Sequence, residues 1–177
     1  RDREAIATVL RAQQQYRRAP AAALEAADLL RRSDTVAVVT GQQAGLFGGP
    51  LFTLLKALTA VRLAERVREE HQVPAVAVFW IDAEDHDWDE VRSCGLLGAD
   101  LDVRKVSVGN PPGAHAGPVA RVRLDDSVNS AIADLQATLP ATEFSAALIE
   151  SLREAYRPGA GMADAFAQWL EALLGPR

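Results

Sequence analysis

The segment that most constrains the fold is an apolar strand, a glycine-rich turn and a long helix, followed by a second apolar strand. The strand patterns cover Thr35 to Thr40 and Ala75 to Ile81, and a helix pattern from about Pro50 to Glu70 joins them. Two strands joined in this way form a right-handed βαβ unit, whose following turns lie at one edge of a parallel sheet. We therefore expect the functional site in those two turns.

The helix pattern also predicts the face that packs on the sheet. Polar residues, Thr53 among them, recur every three or four positions and leave a wide apolar face. The residues of that face are Leu51, Leu54, Leu55, Leu58 and Val61. Because both strands are apolar throughout, we expect helices to cover both faces of each.

Helical and hairpin patterns account for the rest of the chain. Val91 to Leu97 and Asp102 to Val108 alternate as a hairpin around Gly98, Ala99 and Asp100, and Val119 to Leu124 has the pattern of a short strand. The predicted helices are Asp2 to Arg18, Ala21 to Arg32, Ser127 to Thr138, Thr142 to Tyr156 and Met162 to Leu174, the last stopped by Gly175 and Pro176.

These patterns predict an α/β fold: a partial Rossmann-like parallel sheet core with an antiparallel hairpin and a C-terminal helical segment. We assign residues 1–34 to an N-terminal helical arm, 35–124 to the core and 125–177 to the helical segment. The chain begins without methionine and ends directly after a helix pattern, where another strand is expected. We therefore expect a fragment of a longer protein.

The net charge of −5 is local, because the six acidic residues between 82 and 90 contribute −6 and the remainder sums to about +1. No basic stripe indicates a nucleic-acid partner. The single cysteine, Cys94, leaves no internal disulfide, and we see neither a signal peptide nor an apolar span of about 20 residues. This favours a cytoplasmic protein without membrane contact.

The glycine-rich turn predicts an anion site. It matches neither the Walker pattern nor the dinucleotide fingerprint, but it offers flexible backbone beside a helix N-terminus, where N–H groups and the helix dipole favour an anion. Lys56 leans toward that end of the helix, since helical side chains point back toward the N-terminus. The candidate binding residues are Gly41, Gln42, Gln43, Gly48 and Lys56.

The acidic turn after the second strand offers proton chemistry. His86 lies between Asp85 and Asp87, and a histidine held by a carboxylate serves as a general acid or base, a phosphate donor or a metal ligand. Asp85, Asp87 and Asp89 alternate like calcium ligands, but Glu90 stands where that loop needs glycine, which excludes it. Two interpretations remain open: Mg²⁺ held through water, or a solvated acidic helix start.

Residues outside the two turns carry weaker signals. Arg121 follows the Gly117-Pro118 loop and is a candidate contact for an anionic substrate. We interpret Trp80, Trp88 and Trp169 as packing aromatics, although Trp88 lies near His86 and could line a pocket.

At both turns the sequence resembles the bacillithiol biosynthesis cysteine-adding enzyme family, BshC. The resembling segments are VVTGQQAGLFGGPLFTLLKALTAVRLA (Val38 to Ala64) and VFWIDAEDHDWDEV (Val78 to Val91), with weaker agreement at Gly117 to Leu124 and Tyr156 to Leu174. Both motifs are long and unusual, and the resemblance covers nearly the whole chain but only the N-terminal part of a family member. It implies a Rossmann-like core and, in the full-length protein, a coiled coil used for homodimerisation.

The resemblance further implies a ligase that joins cysteine to the amine of glucosaminyl-malate. A nucleotide such as ATP or ADP is the reasonable activating partner, although the donor is unknown. Lys56 and the glycine turn then hold a phosphate or carboxylate, and His86, oriented by Asp85 or Asp87, acts near the reacting carboxyl. The alternatives are a Mg-dependent nucleotide-binding enzyme or phosphoesterase, and a non-catalytic binding module.

Overall fold

The structure is a computed structural model that describes residues 2–98 and 100–175. Ala99 in the predicted hairpin turn and Pro176 in the predicted helix stop lie outside the described residues. The strands are β1 (Val36–Gln43), β2 (Ala75–Asp82), β3 (Ser93–Leu97) and β4 (Val103–Ser107). The helices are α1 (Arg3–Arg17), α2 (Ala21–Leu29), α3 (Leu51–His71), α4 (Trp88–Val91), α5 (Ser127–Thr138), α6 (Ser145–Ala155) and α7 (Met162–Leu174).

The chain divides into two compact units. Unit 1 comprises Arg1–Gln42, Leu51–Ile81 and Leu170–Arg177, and unit 2 comprises Gln43–Pro50 and Asp82–Trp169. The sequence-based division into residues 1–34, 35–124 and 125–177 stays a prediction. Within the described residues, no helix has both the length and the apolar character needed to cross a membrane.

The predicted parallel pair is confirmed. Strands β1 and β2 form a two-stranded parallel sheet, and α3 connects them. The backbone N–H of Val36 donates to the carbonyl of Pro74 at 2.8 Å, just before β2 begins. Strand β1 continues beyond its predicted end, so Gly41, Gln42 and Gln43 belong to the strand and the turn begins after them.

The predicted buried face of α3 is only partly right, because Leu54, Leu58 and Val61 are half-buried but the fully buried positions are others. Leu51 is 72% exposed and Leu55 47% exposed, whereas the buried side chains of α3 are Thr53, Ala57, Ala60 and Ala64. These four positions are spaced by four, three and four residues, so they form one stripe along the helix. Ala57, Ala60 and Ala64 of this stripe also line a cavity in unit 1.

The expectation that helices cover both faces of each strand is also wrong. Val39 in β1 is 63% exposed, and Trp80 in β2, predicted to be a packing aromatic, is 65% exposed. Both side chains lie where the described helices leave the strands open. Apolar character therefore indicated the strands correctly but not their burial.

Unit 2 contains the predicted hairpin, which is confirmed. Strands β3 and β4 pair antiparallel from Ser93 opposite Ser107 to Leu97 opposite Val103. The helical core of this unit buries large side chains from α5, α6, α7 and the residue after α6: Ile132, Leu152, Tyr156 and Phe166.

The predicted strand from Val119 to Leu124 is wrong. Residues Val119–Arg121 form a short 3-10 turn, and an isolated bridge pairs Arg123 with Gly161. The N–H groups of Val119 and Ala120 donate instead to the carbonyls of Asp85 and Ala83, both at 2.8 Å. The backbone of this segment therefore supports the acidic turn.

Candidate active site

The glycine-rich turn has a left-handed backbone conformation. It contains the short 3-10 turn Leu46–Gly48, and its φ angles are 53° at Phe47, 95° at Gly48 and 68° at Gly49. A Cβ atom at Gly48 would lie 2.4 Å from Cζ3 of Trp169, so a larger residue does not fit there. The glycines thus allow a left-handed turn and close packing, rather than the flexibility that the sequence suggested.

Three predicted binding residues meet in unit 1. Lys56 in α3 donates from Nζ to the carbonyl of Gly41 at 3.2 Å and to Oε1 of Gln42 at 2.7 Å. Both acceptors are neutral, and no salt bridge to Lys56 occurs in the part of the chain that the structure describes. The ammonium therefore lies at the end of β1 with its charge uncompensated by a carboxylate.

Gly41 also brings the two strands of unit 1 together. A Cβ atom at this position would lie 2.5 Å from the carbonyl oxygen of Trp80 and 3.0 Å from its Cβ atom. The absence of a side chain is therefore needed for the close approach of β1 and β2. The carbonyl that accepts from Lys56 belongs to this constrained residue.

In unit 2, Gln43 is bound to the acidic turn. Its Nε2 donates to Oδ2 of Asp85 and, at 3.0 Å, to Oε2 of Glu90. The sequence indicated Glu90 only as part of a helix start, and its place in the acidic motif was the available signal. One amide therefore links the last residue of β1 to two carboxylates.

The two predicted carboxylate partners of His86 contact the backbone. Oδ1 of Asp85 accepts from the N–H groups of His86 at 2.7 Å and Asp87 at 3.3 Å. Oδ1 of Asp87 accepts from the N–H of Glu90 at 3.0 Å and caps α4. The His86 side chain is exposed, and its ring forms no hydrogen bond with the described residues.

These contacts favour the charged form of Asp85. The hydrogen bond from Gln43 is the largest cause that lowers the pKa of Asp85 below its ordinary value of 3.8, and the backbone N–H groups of His86 and Asp87 add to it. Each of these donors favours the charged carboxylate. The acidic turn therefore holds negative charge beside an exposed imidazole.

Three further predicted residues lie in unit 2. Arg121 is exposed and is the last residue of the 3-10 turn. The backbone N–H groups of the two residues before it, Val119 and Ala120, donate to the acidic turn. Trp88 is 1% exposed and donates from Nε1 to Oδ1 of Asn110 at 3.1 Å, so its interpretation as a packing aromatic is confirmed. Gly48 is buried, and its N–H is bound inside the turn.

A magnesium site is not favoured by the side chains. Among residues 2–98 and 100–175, no group of three or more histidine, cysteine, aspartate or glutamate side chains is arranged to hold a metal ion. Asp85 and Asp87 each already accept hydrogen bonds from the protein. These contacts give both carboxylates a role in shaping the turn.

Unit 1 contains a cavity of about 610 Å³. It is lined by small apolar side chains of α3, including Ala57, Ala60 and Ala64, and by residues of β2 and α2. None of the predicted site residues contributes to its wall. Its wall is mostly apolar but also includes Glu25, Glu65, Arg68 and Glu171.

The parallel β1–α3–β2 connection with polar turns after both strands defines a Rossmann-like α/β domain. The chain belongs to the BshC family: the family model for the N-terminal Rossmann-like domain of bacillithiol biosynthesis BshC matches residues 1–177.

Three relatives, each named "Putative cysteine ligase BshC", are similar in sequence to this chain. The chain is 38% identical to that of Salinibacter ruber, 37% to that of Symbiobacterium thermophilum and 40% to that of Chlorobaculum tepidum. The matches cover 82%, 98% and 81% of this chain. They span only 26%, 32% and 26% of the relatives, so the chain corresponds to about a third or less of their length.

Proposed function

We propose that this chain is the Rossmann-like part of a cysteine ligase, which joins the carboxyl group of cysteine to the amine of glucosaminyl-malate in bacillithiol biosynthesis. The observation that carries the proposal is the match of the whole chain to the BshC N-terminal domain. We also propose that the full-length enzyme works as a cytoplasmic homodimer, an assembly that sedimentation of the full-length protein tests.

Lys56 is the proposed anion contact. Its ammonium has two neutral oxygen partners, Gly41 O and Gln42 Oε1, so an incoming carboxylate or phosphate replaces hydrogen bonds to neutral acceptors with one between two opposite charges. The malate carboxylates and a phosphoryl group share this chemistry. Arg121, which is exposed beside the acidic turn, is the second proposed contact for an anionic substrate.

His86 is the proposed proton carrier. As the amide forms, the amine nitrogen bonds to the carboxyl carbon, the activated oxygen leaves with its electron pair, and the amine loses a proton. The exposed imidazole has a ring nitrogen that can accept that proton. Asp85 and Asp87 fix the backbone around His86 and so act as positioning residues.

The carboxyl group of cysteine needs activation before an amine attacks it, and a nucleotide or other phosphoryl donor supplies that activation when bound. The chain offers Lys56 as a cation that fits the donor's anionic group. Calorimetric titration of the full-length protein with ATP, cysteine and glucosaminyl-malate identifies which of them binds.

The test uses product formation by the full-length protein, measured by mass spectrometry. We expect His86→Ala to lower the rate by about 10²-fold or more, because general acid–base catalysis contributes at least that much. The exposed His115 supplies the control variant His115→Ala, which should leave the rate unchanged. Normal product formation by His86→Ala would remove His86 from the mechanism.

A matched pair of variants tests Lys56 as the anion contact. Lys56→Met should weaken binding of the anionic substrate by about tenfold or more, since a hydrogen bond to a charged group is lost. Arg62→Met removes an exposed cation from the same helix, where it pairs with Glu65, and should change binding little. Equal effects of both variants would show that only general surface charge matters.

A further inference from the structure

The glycine-rich turn holds an unfavourable backbone conformation. Phe47 has φ 53° and ψ 32°, a left-handed conformation that residues other than glycine rarely adopt. Gly48 and Gly49 continue with positive φ. Such a conformation persists only where the surroundings determine it strongly, and it often marks a functional segment.

Tyr156, the residue after α6, supplies those surroundings. Its hydroxyl accepts from the N–H of Gly48 at 3.2 Å and donates to the carbonyl of Gly45 at 3.3 Å. Its ring packs edge to face against Phe47 with centroids 5.2 Å apart. One buried side chain therefore contacts three residues of the turn.

The Tyr156 hydroxyl remains a donor at physiological pH. The side chain is 0% exposed, and its burial raises the pKa of Tyr156 well above the usual value for tyrosine. The backbone N–H of Tyr156 donates to the carbonyl of Leu152 at 2.7 Å, which ties the residue to the last turn of α6. The hydroxyl thus projects from the end of a packed helix.

A chain of hydrogen bonds leads from this hydroxyl to the acidic turn within unit 2. Tyr156 binds the carbonyl of Gly45, and the N–H of Gly45 donates to the carbonyl of Gln43 at 2.9 Å. The side chain of Gln43 then binds Asp85, whose other oxygen accepts from the N–H of His86. Each link is a direct contact between neighbouring groups.

We propose that Tyr156 is a positioning residue of the active site: its buried hydroxyl fixes the Gly45–Gly49 turn and, through Gln43, the acidic turn that carries His86. This inference rests on the proposed function, because His86 is the proton carrier there. Tyr156 itself touches neither substrate nor reacting atoms in this role.

The first test is Tyr156→Phe in the full-length protein, which removes the hydroxyl and keeps the ring. We expect kcat to fall about tenfold or more while KM changes less than about threefold, because misplacement of a catalytic group affects the chemical step. Ile132→Val, a buried change in α5, is the control for lost stability and should leave kcat unchanged. Unchanged kcat in Tyr156→Phe overturns the proposal.

A double-mutant cycle separates positioning from general structural damage. If Tyr156 acts through Gln43, the double variant Tyr156→Phe/Gln43→Ala should be no slower than Gln43→Ala alone. If the effects of the two changes on kcat multiply, Tyr156 acts independently of Gln43 and the proposed route is wrong.

A measurement without turnover separates this inference from the proposed function. We expect Tyr156→Phe to speed amide exchange at Gly48 about tenfold or more and to shift the NMR signals of the Gln43 side-chain amide. Unchanged Gln43 signals overturn the inference even if wild-type protein makes product. Absence of product from wild-type protein with shifted Gln43 signals overturns the proposed function and leaves the positioning contact supported.

Discussion

The close approach of β1 and β2 at Gly41 leads to a quantitative prediction about stability. In Gly41→Ala, the new Cβ atom would lie 2.5 Å from the carbonyl oxygen of Trp80, which is backbone and cannot rotate away. The strands must separate by about 0.5 Å or more, and overpacking of this kind costs about 1–3 kcal/mol. Gly95→Ala in β3 is the matched control, since a Cβ atom there would meet no heavy atom of the described residues within 4 Å beyond its chain neighbours.

Both variants reduce the conformational entropy of the unfolded chain by the same amount, a gain of about 0.4–1 kcal/mol for stability. The difference between their free energies of unfolding therefore measures the cost of the steric clash at Gly41. We expect Gly41→Ala to be less stable than Gly95→Ala by about 1–3 kcal/mol. For a chain of this size, that corresponds to a difference in Tm of roughly 2–12 °C. Thermal unfolding followed by circular dichroism measures it, and equal Tm values for both variants would refute the reasoning.

Two further predictions concern polar groups. Gln43→Ala removes the largest cause of the lowered pKa of Asp85, so NMR titration should show that pKa rising toward 3.8. A carboxyl group whose pKa is lower in the folded state than in the unfolded state stabilises the fold at pH values above its unfolded-state pKa. This stabilisation is lost as the pH falls through the folded-state pKa. In denaturant unfolding below about pH 4, the wild-type protein should therefore lose more stability than Gln43→Ala. Thr53 is 2% exposed with no hydrogen-bond partner for Oγ1 among the described residues, whereas Thr35 donates to Leu29 O at 2.6 Å. In urea unfolding, Thr53→Val should be neutral or stabilising and Thr35→Val should cost about 1–3 kcal/mol, and the reverse order would contradict the assignment.

Local patterns predicted the elements of the fold well. Helices α5 and α7 span the predicted residues, Ser127–Thr138 and Met162–Leu174, because their boundaries depend on nearby stop signals. The hairpin of β3 and β4 followed from its alternation around a polar turn. These features depend on contacts between residues that are close in sequence.

Features that depend on distant contacts were not predicted. The sequence favoured leucines for the buried face of α3, but its fully buried side chains are Thr53 and three alanines. The segment at Val119 has strand character, yet its N–H groups bind the acidic turn. The contacts of Tyr156 were not predicted, since its partners lie more than 100 residues earlier in the chain.

The acidic turn shows why residue types alone did not define the site. The sequence suggested that Asp85 or Asp87 holds the His86 ring, but both carboxylates bind backbone N–H groups, and Asp85 also binds Gln43. Asp85 therefore acts on His86 through the main chain, and its charge remains near the ring without a direct hydrogen bond. Gln43, the last residue before the glycine-rich turn, is hydrogen-bonded to the same carboxylate that accepts from the N–H of His86. The two motifs that stood apart in the sequence are thus joined in unit 2 by one amide side chain.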